Sequence, residues 1–386
     1  MNSSKTVTDQ PVNSQEAAPR PERNGSTRTR RAKTSSARAS RAHTGRAQAG
    51  RAQAGPGPDG TGPAGPAGQQ PARRHQRDLP IAGTRPSRSS TAGAVVLAYL
   101  RVQAHELRSL DQAVRADEYD AVHQMRVATR RLRATLRSFG RVIPRAETTH
   151  LARELKWLGQ LLGAARDDEV LPVHLRDALR PVPDEDVIGP VHARVQGHFA
   201  PRRAAGHAAV IEALDSPRYA ELLAELDLLT TGPLDGRQLG PQAGDPARDV
   251  LPKAVRKAYR QADRRMRSAR RTPSGPARDV ALHQARKSAR RARYAAEAAA
   301  LTSGKPARRF ARQMKKVQSV LGEHQDAVLA RRSARDLGIG AHLAGENAFT
   351  YGLLHERERH QAARLQAAAR KTWQKASRKR RLTWLS

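Results

Sequence analysis

The sequence predicts an all-α protein built from a duplicated helical unit, with an unstructured tail in front of it. Three observations carry this. From Ala92 onward, apolar residues recur at helical spacing in a composition rich in Ala, Leu and Arg, with almost no alternating β-branched runs. Gly and Pro punctuate that stretch at Pro144, Pro181 to Pro183, Gly189-Pro190, Ser216-Pro217, Gly232 to Pro246, Pro273 to Pro276 and Gly304 to Pro306, cutting it into helices of ordinary length. The third observation is that the two halves of the helical region align on each other.

Residues 1–90 precede this region. They are dominated by Ser, Thr, Pro, Gly, Ala and Arg, with a pentad repeated from Arg41, Arg46 and Arg51. Such a segment buries too little apolar surface to offset its chain entropy and is expected to be disordered. Its formal G-x-G-x-x-G at Gly55, Gly57 and Gly60 contains Pro56 and Pro58 and follows no strand, so it does not read as a dinucleotide site. Beyond it the reading divides the chain into a first half over 91–230, a linker and hinge over 230–246, a second half over 247–370 and a basic C-terminal tail over 371–386.

The duplication is specific. The stretch from His123 to Arg133 aligns without gaps on His283 to Arg293, with identity at His, Gln and four Arg. Downstream, Leu151 to Asp167 aligns on Phe310 to Asp326, matching Arg153 with Arg312, Lys156 with Lys315, Leu162-Gly163 with Leu321-Gly322, and Asp167 with Asp326. The unit is too long and too helical for a short solenoid repeat.

Charge narrows the function. The chain of 386 residues carries 71 Lys+Arg against 36 Asp+Glu, a formal net charge of +35, which calls for a dense anionic partner. Cysteine is absent, which removes disulfides, thiolate catalysis and Cys-containing zinc sites, and fits a reducing compartment. The N-terminus has no apolar signal-like run, and the longest aliphatic run, Ala92 to Leu100, is too short to span a bilayer. A cytoplasmic protein without a membrane partner is therefore expected.

On a helix of roughly 100° per residue, His123, Arg126, Arg130, Arg133, Arg137 and Arg141 fall within an arc of about 80°, opposite Met125, Leu132, Leu136, Phe139 and Ile143. A charged face opposite an apolar one is usually solvated surface, but solvated faces mix Lys, Arg and Glu so that neighbours offset each other. This stripe has no acid and recurs as His283, Arg286, Arg290 and Arg293 opposite Ala285, Ala292, Ala296 and Ala299. Retained self-repulsion points to an anionic ligand. Arginine suits phosphate because its planar fork donates two parallel hydrogen bonds and keeps its charge. Arg153 and Lys156, with Arg312 and Lys315, share one face of a second helix in each unit and are expected to form a facing wall. His123 and His283 are expected to titrate near neutrality and gain charge beside a polyanion.

Catalysis finds little support. Ser303-Gly304-Lys305 lacks the upstream Gly of a P-loop, there is no H-E-x-x-H, and His192, His198 and His207 lack metal-ligand spacing. The alternating acids of Glu356 to His360 read as a solvated face. Asp167 and Asp326 are the only paired carboxylates that phosphoryl transfer could use, and a helix-capping role suits them better. No catalytic residue, metal or cofactor is assigned.

At these residues the chain resembles the CHAD family, the conserved-histidine α-helical domain. The motifs are Ala121 to Arg133, Leu282 to Tyr294, and the two Lys-x6-Gly-x3-Asp segments ending at Asp167 and Asp326. The resemblance implies two helical bundles, duplicated four-helix-type units related by a pseudo-twofold axis, with basic residues of both lining a shared groove or pore. It implies inorganic polyphosphate as ligand and association with polyphosphate granules. Carried over by position, the ligand would meet His123, Arg126, Arg130, Arg133 and Lys156 with His283, Arg286, Arg290, Arg293 and Lys315; Arg131 and Arg291 match at the edge of the stripe. The triphosphatase domain of some members begins with a strand carrying Glu-x-Glu-x-Lys, which is absent here, and the Arg/Ala/Gly tail is a departure. The alternative is nonspecific nucleic-acid binding through the basic tails, against which stands the scarcity of aromatics for base stacking.

Overall fold

In the computed structural model, residues 86–87, 89–231 and 239–385 are described. The expected disordered tail over 1–85 and the centre of the expected linker, 232–238, lie outside them.

Helices dominate, and no strand forms among the described residues; one isolated bridge joins Thr91 and Pro246. In chain order the helices are α1 (Ala92–Ser109), α2 (Asp111–Arg115), α3 (Ala121–Ser138), α4 (Arg145–Leu179), α5 (Val191–Asp215), α6 (Pro217–Thr231), α7 (Ala247–Arg271), α8 (Pro276–Leu343) and α9 (Phe349–Ala376). Starts after Pro144, Pro190, Ser216 and Pro246 follow from proline's fixed φ, which the first helical turn accepts and the interior resists. Thr91 caps α1, its hydroxyl accepting from Ala94 N at 3.3 Å. The 68 residues of α8 are two helices in all but name, broken at Gly304 where φ is 58°.

The apolar faces explain the packing. α1 is apolar on nearly all sides, burying Val95, Val96, Leu97, Leu100, Ala104 and Leu107, and it sits against α3, α6, α7 and α8. α3 buries Val122, Met125, Ala128, Leu132 and Leu136, and its interior hydroxyls are satisfied locally, Thr129 to Met125 O at 2.9 Å and Thr135 to Arg131 O at 2.8 Å. The periodicity of the sequence overran this helix. Phe139 leaves helical geometry, so Phe139 and Ile143 pack from the following corner and Arg141 stands exposed beyond the helix end.

The largest apolar cluster contains residues of α1, α3, α4 and α6 together with α7, α8 and the end of α9, so it passes continuously from one sequence half to the other. A second cluster does the same, joining Leu175, Leu179, Val195 and Phe199 to Ala334, Leu337, Tyr351 and Leu354. The segment 371–386, expected as a basic tail, is docked wherever it is described. Trp373 stacks on Tyr259 at 5.7 Å between ring centroids, Trp384 meets Phe310 edge-on at 5.8 Å, and Leu385 is buried. Counting charges overlooked these aromatics; Lys375, Arg378 and Lys379 do remain exposed.

The described end of the expected hinge is pinned at both of its edges. Gly240 N donates to Val142 O at 2.9 Å and Gln242 N to Arg141 O at 3.1 Å, while Gly93 N and Ala92 N donate to Ala243 O and Asp245 O, each at 2.8 Å. A Cβ on Gly240 would collide with the carbonyl of Arg141, whereas one on Gly244 would meet nothing. Gly240→Ala is therefore expected to lower stability by about 1–3 kcal/mol and Gly244→Ala to leave it nearly unchanged, as read from chemical-denaturation midpoints. Equal midpoints for the two variants would refute the docking of this segment.

Candidate polyanion-binding site

α3 and α8 pack together and bring the two cationic stripes face to face. Arg126 and Arg130 of α3 and Arg286 and Arg290 of α8 are half-buried, and each helix's arginines act electrostatically on the other's. Burial, and then Arg130 across the interface, pulls Arg290 down to about 9. Burial pulls Arg130 down to about 10, with Arg126 and Arg286 adding to the fall and the Tyr294 hydroxyl opposing it. Arg126 is lowered by burial, partly offset by Asp167. The Nε atoms of Arg130 and Arg286 are buried without a hydrogen-bond partner. Withdrawing four cations from water with one loose ion pair among the described residues, Arg126 to Asp167, to offset them is costly.

The repeated Leu-Gly pair has a physical reason here. A Cβ on Gly163 would lie 3.6 Å from Arg126 Nη2, and one on Gly322 would lie 3.3 Å from Arg286 Nη2. Each guanidinium therefore lies against the glycine of the neighbouring helix in its own repeat, and a side chain there would push it away. One turn on, Asp167 and Asp326 sit within reach of the same groups: Arg126 Nη1 is 3.8 Å from Asp167 Oδ1. Burial raises both carboxyls against the pull of Arg126 and Arg286, and Asp326 raises Asp167 further. The helix-capping role expected of these two aspartates does not hold, because both are in mid-helix.

The histidines differ from expectation. Burial pushes His123 down to about 4 despite the nearby Asp120, with Arg166, Arg130 and Arg126 adding to the fall. His283 is lowered by burial and by Lys287, and its Nδ1 is hydrogen-bonded to Gln325 Oε1 at 2.8 Å. Both are held in the neutral form near pH 7 in the unliganded protein, because desolvation and surrounding cations outweigh Asp120 beside His123 and the Gln325 hydrogen bond to His283.

The remaining expected residues separate into three groups. Arg131 and Arg293 converge on Glu297, at 3.3 and 2.7 Å, and both lie over the Tyr294 ring. Arg133, Arg137 and Arg291 make no ion pair among the described residues. Arg153, Lys156, Arg312 and Lys315 stand exposed on α4 and α8. Sequence reasoning also passed over α7, whose outer face presents Lys253, Lys257, Arg260, Arg264 and Arg267 opposite Val255, Ala262 and Met266; the same stripe test would have found it.

Comparison with known proteins gives these features a family. Over 283 residues the chain is 35% identical to Uncharacterized protein Rv2226 and to Uncharacterized protein MT2285, both of Mycobacterium tuberculosis, covering 72% of this chain and 53% of each relative. The chain thus spans about half the length of the curated relatives it matches. The crystal structure of the CHAD domain from the plant Ricinus communis superposes with a TM-score of 0.56 at 25% identity, covering 77% of this chain and 96% of that one. PptA from Streptomyces chartreusis superposes with a TM-score of 0.62 at 23% identity, over 74% of this chain and all of that one, a likeness of fold alone. Residues 98–335, more than half of the chain, match the CHAD domain, and with the duplicated His/Arg stripes in place the protein belongs to the CHAD-domain family.

Proposed function

We propose that this protein binds inorganic polyphosphate, without processing it, at a site shared by its two repeats. The observation that carries the reading is the meeting of Arg126, Arg130, Arg286 and Arg290, drawn from water with two Nε donors unpartnered. A ligand that supplies closely spaced oxyanions satisfies those donors and relieves the repulsion together. Successive phosphates of polyphosphate share a bridging oxygen, so their charge is denser than that of a nucleic-acid backbone. The repeats are read as bundles related by a pseudo-twofold axis through this centre, with Arg133, Arg137 and Arg291 continuing the path and Lys156, Lys315, Arg153 and Arg312 as outer electrostatic contacts. Cytoplasmic polyphosphate granules are the proposed setting.

Nucleic acid is the second reading, supported by the exposed basic face of α7. Against it, Tyr119 and Phe349 are the large aromatic side chains exposed among the described residues, so few platforms exist for base stacking. Competition of long-chain polyphosphate against duplex DNA for the whole chain at physiological salt tests the choice. Preferential retention of DNA would overturn the polyphosphate reading.

Arg130→Gln with Arg290→Gln is expected to fold with an unchanged or higher thermal midpoint, since it removes buried like charges. A charge-assisted contact is worth roughly 1.5–3 kcal/mol, so the pair should lose about a hundredfold or more in polyphosphate affinity by calorimetry. Arg126→Gln with Arg286→Gln is expected to lose a similar amount, with one site per protein retained until binding disappears.

The pH response follows from His123. Its folded-state value lies below the ordinary 6.5, at about 4, so the unliganded fold is stabilised above 6.5 and loses that contribution as pH falls toward 4. A bound polyanion raises the value again, so binding takes up a proton. Affinity is expected to tighten as pH falls through the window from 6.5 to about 4, and His123→Gln to flatten that dependence. Affinity that weakens with acidification would place the ligand away from His123.

A further inference from the structure

The repeats agree in sequence at the centre of the site and disagree at its ends. The gap-free alignment of His123 on His283 sets Arg131 on Arg291, Arg133 on Arg293 and, four residues further, Arg137 on Glu297. That last position acts on equivalent arginines on each side, by hydrogen bonds from Glu297 and by charge from Arg137. Glu297 receives Arg293 Nε at 2.7 Å and Arg131 Nε at 3.3 Å, and Tyr99 OH at 3.4 Å; Arg131 is further held by Gln103 Oε1 at 3.4 Å. With its side chain only 12% exposed, Glu297 is committed to these partners. On the other side Arg137 stands in its place, and the charges acting on Arg133 and Arg291 are those of Arg137 and, for Arg291, also Arg145.

One end of the site is thus neutralised by a buried carboxylate with both arginines occupied, while the equivalent end holds Arg133, Arg137, Arg145 and Arg291 with no ion pair to any described residue. A folding requirement alone does not explain the second arrangement, since like charges repel and a Glu at 137 would have settled it as Glu297 does.

We infer that the site is one-ended: a linear polyphosphate runs from the four-arginine centre out past Arg137, Arg291 and Arg145, and Glu297 closes the equivalent route by holding Arg131 and Arg293. This rests on the polyphosphate reading above. Its consequence is that the site takes the end segment of a chain and does not thread it. A phosphate advancing past the centre toward Glu297 meets a carboxylate in place of a free guanidinium.

The test compares positions that the repeats make equivalent, using the full-length protein with tripolyphosphate and with long-chain polyphosphate, and checking folding by thermal melts. Arg137→Gln with Arg291→Gln is expected to weaken long-chain binding about a hundredfold, two charge-assisted contacts' worth. Its effect on tripolyphosphate, too short to leave the centre, should stay within about threefold, the size of an exposed-charge effect. Arg131→Gln with Glu297→Gln removes the carboxylate and frees Arg293, so long-chain binding should hold or tighten, while tripolyphosphate binding stays within about threefold. Equal losses of long-chain affinity in the two double variants would overturn the one-ended site. Should the Arg131/Glu297 variant fail to fold, Glu297→Gln alone decides: freeing Arg131 and Arg293 should tighten long-chain binding, and unchanged or weaker binding overturns the proposal. Failure of the underlying reading looks different, with Arg130→Gln/Arg290→Gln binding both ligands as the wild type does.

Discussion

The arginines at the contact of α3 and α8 impose the constraint around which the rest of the structure is arranged. Four guanidinium groups from two helices are partly withdrawn from water, and the nearby carboxylates, Asp167 and Asp326, are too few and too loosely placed to neutralise them. Their depressed values, about 10 for Arg130 and about 9 for Arg290, still leave both charged at neutral pH. A lysine starts about two units lower, so the same desolvation would bring it much closer to neutrality and weaken its hold on the proton. The residue type follows from the burial: only arginine keeps a cation in this place.

Holding such a centre together takes packing elsewhere. The principal core runs through α1 into both sequence halves, and the second core ties the far ends of α4 and α5 to α8 and α9, so α3 and α8 cannot separate without exposing apolar surface shared by the whole fold. The pinning of Gly240 and Gln242 on the α3–α4 corner, and of Ala243 and Asp245 on the start of α1, fixes the entry to α7 in the same way. Gly163 and Gly322 then set the guanidinium planes by leaving room for them. Stability gathered throughout the core offsets a local electrostatic cost, a division of labour common at binding sites.

Much of this was legible in the sequence. Helical periodicity, proline and glycine boundaries, the acid-free stripes and their duplication are all local properties, because a helix is written in the spacing of residues three and four apart. The stripes named Arg126, Arg130, Arg286 and Arg290, and the alignment named Gly163, Gly322, Asp167 and Asp326. Extrapolating the period past Phe139 failed because nothing local says where tertiary packing ends a helix. The C-terminal segment was misjudged because Trp373 and Trp384 find their partners, Tyr259 and Phe310, far away in the chain.

The sequence by itself determined the all-helical character, the repeat, and which helix face is cationic. Only the tertiary structure decided that the two faces meet, that His123 is neutral there, that Asp167 and Asp326 lie in mid-helix beside arginines, and that Arg131 is occupied where Arg291 is not. The physical reason is distance along the chain. Arg131 and Glu297 are separated by more than a repeat length, and desolvation depends on everything packed around a group, so neither can be read from a stretch of neighbouring residues.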